Sequence, residues 1–563
     1  MKVADYIVDF LIKKGVTDVF GIPGEIILDF LDALNQRKDE ISTHLNYHEQ
    51  ASAFAACGYA QASNKLGVAY ATKGPGLTNM ITPIVDAFCD STPVLFISAH
   101  AKSGITSMRF ENNQEIDTVY MLSKITKYAT RITSVEDVYY KLEHAYNQAV
   151  FGRKGPVFID IQADIFKLDI NINIFESYQP KKQTFDSAKD IIRCLKKSII
   201  ETKRPILLIG DGVRQSGTEQ YLRDFAESIK IPVISSRFSQ DIMNDSEYYY
   251  GFIGSHGTRY SNFILSKCDL VISLGNRLSY NANSQSFANF INKAKIIRID
   301  IDTNEFIRAQ PNTINYHMDL KILMPLLTQE NWGNIINEEW KNVCDTLKKT
   351  LYGFDVQYPV NAISSILKNA DSDWICVSDV GNNEFWLSYA YAFATKHNRI
   401  LFSKSFGALG CSLPKAIGAY YSMKRKVLCF SGDQGLQMNL QELQYISNEK
   451  IPITIIIINN LSSGMIRSKQ KSKFNSRFFH TTLDSGYSVP DFQAMAKVFS
   501  MPYFVITNKN NTIDKFVDLQ SPCIVEIIID DKTDIIPRLP KGCLCQDFEP
   551  FLDRDIFDYL NKL

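Results

Sequence analysis

The chain has 563 residues, of which 45% are hydrophobic, and its 61 Lys and Arg residues balance 61 Asp and Glu residues. This length predicts about three to four domains with large cores, and a net charge of zero argues against a general nucleic-acid-binding protein. The 11 cysteines are scattered without a CxxC pair, which indicates reduced core residues and neither a zinc site nor a disulfide framework.

Residues 1–15 predict an amphipathic helix in which Asp5 and Asp9 interrupt the apolar residues, and this is not the pattern of a signal peptide. No run in the sequence approaches the roughly 18 apolar residues of a membrane span. We therefore expect a soluble, cytoplasmic protein.

Residues 1–165 alternate helix-like and strand-like segments, as doubly wound α/β domains do. Three successive predicted strands end in polar, Gly or Pro turns, at 21–24, 47–50 and 73–79. Because parallel sheets bind ligands at the carboxyl ends of their strands, these turns indicate a ligand edge. Glu49 lies there and has two interpretations: a charge that favours a helix dipole, or a buried carboxylate with a raised pKa.

Two further α/β patterns follow, separated by polar linkers at about 176–204 and 330–358. The middle pattern has strand-end motifs typical of dinucleotide folds, each weak alone, at 210–212, 254–257, 274–277 and 299–302. The predicted fold is therefore α/β with three doubly wound parallel-sheet domains. Their predicted bounds are 1–175, 190–330 and 355–535, with a C-terminal tail at 536–563.

The stretch 427–464 carries the strongest chemical pattern. A short apolar strand ends at Ser431-Gly432-Asp433, a helix-like segment follows, and a second apolar strand ends at Asn459-Asn460. Asp433 and Asn460 are expected to project from neighbouring strand ends, where a carboxylate and an amide oxygen suit an Mg²⁺ that also holds a diphosphate. For Gly-Asp alone, ordinary turn residues of a β-α-β unit are the commoner interpretation.

The spacing favours the metal site. Residues 435–458, which are 24 residues, separate Gly432-Asp433-Gln434 from Asn459-Asn460. This resembles the Gly-Asp-Gly…Asn-Asn signature of thiamine-diphosphate enzymes, except that Gln434 stands in place of a glycine and Gly435 follows it. The departure concerns how closely the backbone can approach a phosphate, and it leaves the metal ligand Asp433 in place.

Five N-terminal segments resemble the acetohydroxyacid (acetolactate) synthases, in that family's order and at similar spacing. They are VFGIPGE, NYHEQASAFAACGYA, ATKGPGLTN, Gln114-Glu115-Ile116-Asp117 and Ile125-Thr126-Lys127. The chain is therefore identified as a member of the thiamine-diphosphate-dependent acetolactate synthase and 2-oxo acid decarboxylase family. The resemblance implies an N-terminal domain that binds the pyrimidine ring and a C-terminal domain that binds diphosphate and Mg²⁺.

The resemblance also implies the site residues. Glu49 matches the catalytic glutamate that hydrogen-bonds N1′ of the aminopyrimidine, and Gln114 and Lys127 are expected to be catalytic as well. Asp433, Asn460 and the carbonyl of Ser462 are the expected metal ligands. The residues expected to bind the cofactor are Ile22, Pro23, Glu49, Pro75, Asn79, Asn382, Asn383, Gly407, Leu409, Gly432, Asp433, Gln434, Gly435, Asn460, Ser462, Gly464 and Met465.

Two of these residues have specific implied roles. Leu409 would force the two cofactor rings into a V, although a leucine in a loop is commonly a core residue. Gly407 would offer its carbonyl to the 4′-amine. In the family, the catalytic glutamate and the metal site meet from different subunits, so a homodimer or homotetramer is expected. The sequence leaves open whether a regulatory subunit exists.

The middle and acceptor regions depart from the family. Arg277 matches an arginine of a FAD site, but the second arginine of the family's Arg-Phe-Asp-Asp-Arg run is absent from residues 277–281, which leaves FAD open. Lys469 occupies the position of a tryptophan that shapes the second-substrate pocket. With Arg467, Lys471 and Lys473 it would bring positive charge near the site, or else form an exposed basic loop.

The predicted reaction is decarboxylation of a 2-oxo acid, with pyruvate as the first candidate, and carboligation to a non-standard, anionic acceptor. A simple decarboxylase that releases an aldehyde is one alternative, but such enzymes often carry a His-His pair, and residues 100–117 contain only His100. A non-catalytic relative is the other alternative. The presence of both Glu49 and Asp433 argues against it.

Overall fold

The computed structural model describes residues 1–101, 113–171, 177–278, 294–307, 312–333, 337–394, 398–510 and 512–563. Its strands form three six-stranded sheets, and within these ranges all neighbouring strands pair in parallel. The predicted α/β class with three parallel sheets is confirmed. The chain divides into two compact units. The first is Met1–Lys182, Asp373–Glu384 and Arg399–Lys532, and the second is Gln183–Ser372, Phe385–Asn398 and Thr533–Leu563.

The first unit contains the N-terminal sheet. Its strands are β1 (Asp18–Gly21), β2 (Ser42–Leu45), β3 (Gly67–Ala71), β4 (Val94–His100), β5 (Tyr128–Ile132) and β6 (Val157–Gln162). Its helices are α1 (Val3–Lys13), α2 (Leu28–Gln36), α3 (Glu49–Ser63), α4 (Pro75–Asn79), α5 (Ile81–Asp90), α6 (Thr118–Leu122) and α7 (Val135–Val150). The strand order is β2-β1-β3-β4-β6-β5.

The second unit contains the middle sheet, with the strand order β12-β11-β10-β7-β8-β9. The strands are β7 (Pro205–Ile209), β8 (Val233–Ser236), β9 (Tyr249–Ile253), β10 (Leu270–Leu274), β11 (Lys295–Asp300) and β12 (Thr313–His317). The helices are α8 (Ala188–Glu201), α9 (Gly212–Gln215), α10 (Glu219–Ile229), α11 (Arg259–Lys267), α12 (Leu320–Gln329), α13 (Glu338–Leu351) and α14 (Tyr358–Asn369).

The C-terminal sheet also belongs to the first unit, with the order β14-β13-β15-β16-β18-β17. Its strands are β13 (Ile375–Ser378), β14 (Ile400–Leu401), β15 (Val427–Gly432), β16 (Ile453–Asn459), β17 (Tyr503–Ile506) and β18 (Cys523–Ile528). The remaining helices of the chain are α15 (Asn382–Ala394), α16 (Ser412–Met423), α17 (Asp433–Gln437), α18 (Glu442–Asn448), α19 (Gly464–Lys473), α20 (Phe492–Val498) and α21 (Arg554–Lys562).

Short 3₁₀ helices lie between these elements, at Glu25–Ile27, Ala163–Lys167, Arg237–Ile242, Thr303–Ile307, Leu483–Ser485 and Ile513–Lys515. The central strands are continuous apolar runs, as expected for parallel strands covered by helices on both faces. In β16, for example, all seven residues are buried. None of the helices in the described part of the chain has the length and apolar content to cross a bilayer.

Helix α3 packs closely against α16 inside the first unit. A Cβ on Gly58 would collide with the carbonyl oxygen of Lys415, and a Cβ on Gly418 would collide with that of Ala55. The two backbones therefore touch, which only glycine permits at these positions. This contact fixes the helix that begins at Glu49 on the helix that precedes β15.

The structure adds detail to two elements of the sequence prediction. The segment after Asp433 forms two short helices, α17 and α18, in place of one continuous helix. The stretch described as a C-terminal tail packs into the second unit, because Phe548, Phe557 and Leu560 share an apolar cluster with Leu208. The domain bounds 1–175, 190–330 and 355–535 stay a prediction.

Candidate functional site

Asp433 lies at the carboxyl end of β15, as the first residue of α17, and it is 2% exposed. Its Oδ1 accepts hydrogen bonds from the backbone N–H of Gln434 at 2.8 Å and from the hydroxyl of Tyr487 at 2.9 Å. Its Oδ2 is buried and has no hydrogen-bond partner among the described residues. A buried carboxylate oxygen in this state is stabilised by a cation.

Burial raises the pKa of Asp433 to about 6, and the hydrogen bonds from Tyr487 and the Gln434 N–H, with the nearby N–H groups of Ser462 and Leu461, partly oppose the shift. The Ser462 backbone therefore lies close to the Asp433 carboxylate, and the assignment of both residues as ligands of one metal stays a prediction. Asn460 and Ser462 are 5% and 2% exposed, and the Ser462 hydroxyl also has no partner within the described chain.

Gly464 brings two asparagines together at this edge. A Cβ on Gly464 would lie 2.5 Å from Nδ2 of Asn382 and 2.5 Å from Nδ2 of Asn460. Both polar side-chain atoms of Asn382 are buried and unpaired in the described structure. The absence of a side chain at Gly464 thus leaves a small polar cradle that contains the unpaired amide of Asn382, which suits a diphosphate.

We call the cluster Asp433, Asn460, Ser462, Gly464 and Asn382 the metal edge. Its strands β15 and β16 pair directly, with Gly432 opposite Ile458. The described residues contain no group of three His, Cys, Asp or Glu side chains that could hold a metal. The oxygen donors here are therefore one carboxylate with amide, hydroxyl and carbonyl oxygens, a set that suits Mg²⁺ bound together with substrate phosphates.

Other predicted residues border the metal edge. A Cβ on Gly432 would lie 3.6 Å from Oδ1 of Asn383, and a Cβ on Gly435 would lie 3.0 Å from the Asp379 carboxyl. The Gln434 side chain and Met465 are partly exposed beside them. Gln434, at the position where the signature has glycine, therefore keeps its side chain partly exposed.

The segment before α16 presents Gly407 and Leu409. Gly407 has a φ of +71°, a backbone region that favours glycine, and a Cβ there would meet no atom within 4 Å. Leu409 is 36% exposed, so it is not enclosed in the core of this chain. Both residues lie where a bound molecule could still reach them.

His48, the residue before α3, accepts a hydrogen bond from the Gln50 N–H at its ring Nδ1. Glu49 is the first residue of α3. Its Oε2 accepts a hydrogen bond from Nδ2 of Asn79 at 2.9 Å, and its Oε1 lies 3.3 Å from the position of a Cβ on Gly76. The glycine thus leaves room for the carboxylate, which is partly exposed in the single chain.

The other N-terminal residues gather around the ends of β1 and β3. The turn with Ile22 and Pro23 approaches β3, because a Cβ on Gly24 would lie 2.5 Å from Cβ of Thr72. Pro75 begins α4, and a Cβ on the preceding Gly74 would collide with the carbonyl oxygen of Gln114. We call the cluster Glu49, Pro75, Asn79 and Gln114 the pyrimidine edge.

Lys127 does not join this cluster. It precedes β5 and so lies at the amino edge of the sheet, opposite the strand ends that carry Glu49. Its ammonium donates hydrogen bonds to the carbonyl oxygens of Gln148 and Phe151. The structure therefore gives Lys127 the position of a cation at the C-terminus of α7, which a helix dipole favours.

Three supporting residues lie outside the set of site residues predicted from the sequence. Tyr487 hydrogen-bonds the proposed ligand Asp433. Asp379 at the end of β13 accepts hydrogen bonds from the N–H groups of Gly410 and Ser412. Glu442 of α18, fully buried, accepts from Asn46 Nδ2 and the Tyr47 N–H, both at 2.9 Å, just before Glu49. Only Asp379, a carboxylate at a strand end, carried a signal in the sequence.

The second unit contains the residues expected near FAD. Arg277 Nε donates to Glu305 Oε1 at 2.8 Å, and Asp300 accepts from the Asp302 N–H. A Cβ on Gly212 would lie 2.7 Å from Cα of Gly275, so these two turns pack against each other. Residues 279–281, which include the position of the missing second arginine, lie outside the described residues. FAD stays an expectation of the resemblance.

Three consecutive segments of the chain match family models of the thiamine pyrophosphate enzymes. The N-terminal TPP binding domain matches residues 1–121, the central domain matches 192–327, and the C-terminal TPP binding domain matches 379–527. The first and last segments contain Glu49 and Asp433 respectively. Each of the two edges thus falls in a segment that matches a TPP binding domain.

Full-length relatives agree with these matches. The chain is 30% identical over 554 residues to the acetolactate synthase isozyme 2 large subunit of Escherichia coli, covering 96% of this chain and 98% of that protein. It is 31% identical over 545 residues to the acetolactate synthase large subunit of Lactococcus lactis, covering 94% and 93%. It is 31% identical over 600 residues to the probable acetolactate synthase large subunit of Methanocaldococcus jannaschii, covering 100% and 98%.

Proposed function

Because the chain belongs to the family of thiamine-diphosphate-dependent enzymes that contains the acetolactate synthases, we propose that it decarboxylates a 2-oxo acid and joins the product to a second carbonyl compound. Family membership makes thiamine diphosphate with a divalent metal its cofactor. Pyruvate is the first candidate donor. The observation that carries the proposal is the buried, unpaired Oδ2 of Asp433 beside Ser462 at the ends of β15 and β16.

The residues of the metal edge fit the absent group. Asp433, Asn460 and the Ser462 carbonyl would hold Mg²⁺, and the amide groups of Asn382 and Asn383 would receive the diphosphate together with the backbone at Gly432, Gln434, Gly435, Gly464 and Met465. When bound, thiamine diphosphate supplies the electron sink for breaking the bond to the carboxyl group. The protein contributes position, charge and exclusion of water.

The pyrimidine edge would provide the proton-transfer group. Glu49 would hold a proton at N1′ of the aminopyrimidine, and Asn79 orients the carboxylate through its 2.9 Å hydrogen bond. Ile22, Pro23 and Pro75 would line the ring, while Gly407 would accept a hydrogen bond from the 4′-amine and Leu409 would support the bend between the rings. Gln114 lies beside Gly74 and would face the substrate.

We propose a second subunit to complete each site. Leu45 and Tyr47, just before Glu49, are 45% and 50% exposed, and Phe406 and Leu409 are 45% and 36% exposed. Exposed apolar side chains next to incomplete edges are typical of subunit interfaces. A homodimer, or a homotetramer built from two of them, would cover them. All 11 cysteines are free thiols, which supports a reducing compartment such as the cytoplasm.

An anionic acceptor is the proposal for the second substrate. Lys469 lies four residues after Met465 on α19, so both share one face of a helix that begins at the metal edge. Lys469 is exposed. Lys469→Ala should raise KM for the acceptor about tenfold with little change in kcat, since loss of one charged hydrogen bond has this size. Lys497→Ala, at an exposed lysine of α20, is the control, and an equal effect of both substitutions would contradict the assignment.

The first test is incubation of the protein with thiamine diphosphate, Mg²⁺ and a panel of 2-oxo acids, each with and without carbonyl acceptors. CO₂ release and mass spectrometry of products are the measurements. We expect release that depends on a second carbonyl compound. Acetolactate from pyruvate at rates typical of biosynthetic enzymes would contradict the non-standard acceptor, and aldehyde release alone would indicate a simple decarboxylase. No release with any acid would exclude the proposed activity.

A further inference from the structure

A buried ion pair lies in the first unit, outside the groups that the proposed chemistry uses. Lys415 of α16 and Asp86 of α5 are both 0% exposed, and Nζ of Lys415 lies 2.8 Å from Oδ2 of Asp86. Lys415 also donates to the carbonyl oxygen of Phe402 at 3.2 Å. The close contact of α3 with α16 encloses this lysine, because Gly58 packs directly on its backbone.

Stability alone does not account for such a pair. Removing two charges from water costs several kcal/mol per ion, and replacing a buried pair with apolar residues is often neutral or stabilising. A second buried carboxylate adds to this desolvation cost, since Asp90 of α5, which lies nearby, is 4% exposed. Burial and the charge of Asp86 raise the pKa of Asp90 to about 7, against the effects of Lys404 and Lys415.

Both carboxylates bind the segment before α16. The Ser403 hydroxyl donates to Oδ1 of Asp86 and accepts from the Ala408 N–H at 2.9 Å. The two oxygens of Asp90 accept from the N–H groups of Lys404 and Ser405, each at 2.8 Å. The network therefore fixes one backbone segment, 403–408, at both of its ends.

The middle of that segment has few contacts of its own. Phe406 is 45% exposed, and Gly407 has open space around its α-carbon. Ala408 is buried with Phe54 and Cys411, next to the exposed Leu409. The position of Gly407 therefore depends on the anchors on either side.

We infer that Lys415, Asp86 and Asp90 are positioning residues that hold segment 403–408 so that Gly407 and Leu409 meet the aminopyrimidine of the cofactor. Lys415 neutralises Asp86 and holds the Phe402 carbonyl, while the carboxylates orient the N–H and hydroxyl groups of the segment. The inference rests on the proposed function, because Gly407 and Leu409 are assigned to the cofactor there.

The test uses full-length protein and variants that cut the anchors but leave the ion pair. Asp90→Asn leaves one carboxamide oxygen for the two N–H groups, and Ser403→Ala removes the bridge to Ala408. A separate variant, Lys415→Met, breaks the pair itself and should likewise raise exchange of segment 403–408, together with a lower melting temperature. The matched control is Lys426→Met, since Lys426 is also a buried lysine of this unit, bound to carbonyl oxygens at the amino end of β15.

Two measurements are made besides the melting temperature. Hydrogen exchange of residues 403–408 in cofactor-free protein reports the anchoring, and titration with thiamine diphosphate and Mg²⁺ reports the cofactor Kd. We expect Asp90→Asn and Ser403→Ala each to raise exchange of the segment and the cofactor Kd about tenfold, as for loss of a hydrogen bond to a charged group. Lys426→Met should lower the melting temperature and leave both readouts unchanged.

The outcomes separate the two proposals. Unchanged exchange in Asp90→Asn and Ser403→Ala would show that these contacts do not anchor the segment. Faster exchange with an unchanged Kd would show anchoring without a role toward the cofactor, and would overturn the inference while the proposed function stands. Failure of the unaltered protein to bind thiamine diphosphate would overturn the proposed function, and the inference with it.

Discussion

The metal edge and the pyrimidine edge lie at the carboxyl ends of two parallel sheets in one unit, yet they differ in how far they are enclosed. Asp433, Asn460 and Ser462 are at most 5% exposed. Pro75, Asn79 and Gln114 are exposed at the other edge. The chain thus buries its proposed cation ligands by itself and leaves its proposed proton-transfer group partly open. This difference agrees with the proposal that a second subunit completes each site.

The largest effect is expected from Glu49→Gln at the pyrimidine edge. The amide cannot hold the proton at N1′ as the carboxylate does, so kcat should fall by about 10²–10⁴-fold, the range for loss of a general acid–base group. The cofactor Kd should change little, because the metal edge is intact. Rates and Kd are measured by product formation and by titration. Glu136→Gln, at an exposed glutamate in the first turn of α7, is the control. A kcat of Glu49→Gln close to that of the unaltered protein would remove Glu49 from the proposed role.

Asp433→Asn should act on the metal edge, where, unlike Glu49→Gln, it should weaken binding of the metal and the cofactor. Asp433 is the only charged ligand in the proposed set. Its loss should therefore weaken Mg²⁺ binding more than loss of a group that hydrogen-bonds a ligand, which costs about 10–100-fold. The readout is the Mg²⁺ concentration for half-maximal cofactor binding. Asp491→Asn keeps a side chain that can cap α20 and is the matched control. An unchanged Mg²⁺ requirement would exclude Asp433 as a ligand.

The two variants together test whether the edges come from different subunits. Each alone should be nearly inactive, but mixed dimers would contain one site with an intact Glu49 and an intact Asp433. Random mixing should then recover about one quarter of the activity, as statistics of a two-fold dimer require. If the mixture stays inactive while forming mixed dimers, each site is built from one chain.

Tyr487→Phe should have a smaller effect on the same edge. It removes the hydroxyl that donates to Oδ1 of Asp433 at 2.9 Å but leaves the ligand itself. Loss of a group that hydrogen-bonds a metal ligand costs about 10–100-fold in metal affinity. The same Mg²⁺ titration measures it, with Tyr559→Phe as an exposed control. An effect as large as that of Asp433→Asn would instead indicate that Tyr487 contacts the bound group.

Lys127→Met should have the smallest effect. Since Lys127 binds carbonyl oxygens at the end of α7, its loss should lower the free energy of unfolding by about 0.3–1 kcal/mol, the typical value of a charge at a helix terminus. The kcat should not change. Denaturant titration and steady-state rates measure the two quantities. A hundredfold loss of kcat with normal stability would restore Lys127 to the catalytic group.

The sequence pattern placed Asp433 and Asn460 at the ends of neighbouring strands, where the structure has them, because these positions depend only on local β-α-β geometry. Their role as metal ligands stays a prediction. Lys127 shows the limit of this reasoning: a matching segment predicted the element but not the direction of its side chain. Tyr487 and the Lys415–Asp86 pair had no signal, since 54 and 329 residues separate the partners and only tertiary packing brings them together. The parallel sheets were predictable because buried apolar runs bounded by turns indicate them directly.

The glycine contact between α3 and α16 should make the stability of the protein sensitive to mutations at Gly58 and Gly418. At Gly58 and Gly418 any β-carbon would meet a carbonyl oxygen of the facing helix, so even the smallest substitution must push the two helices apart. Neither residue takes part in the proposed chemistry. Alleles with alanine or serine there should therefore be heat-sensitive: protein made at low temperature keeps its turnover per folded molecule, and the defect appears as lost abundance on warming.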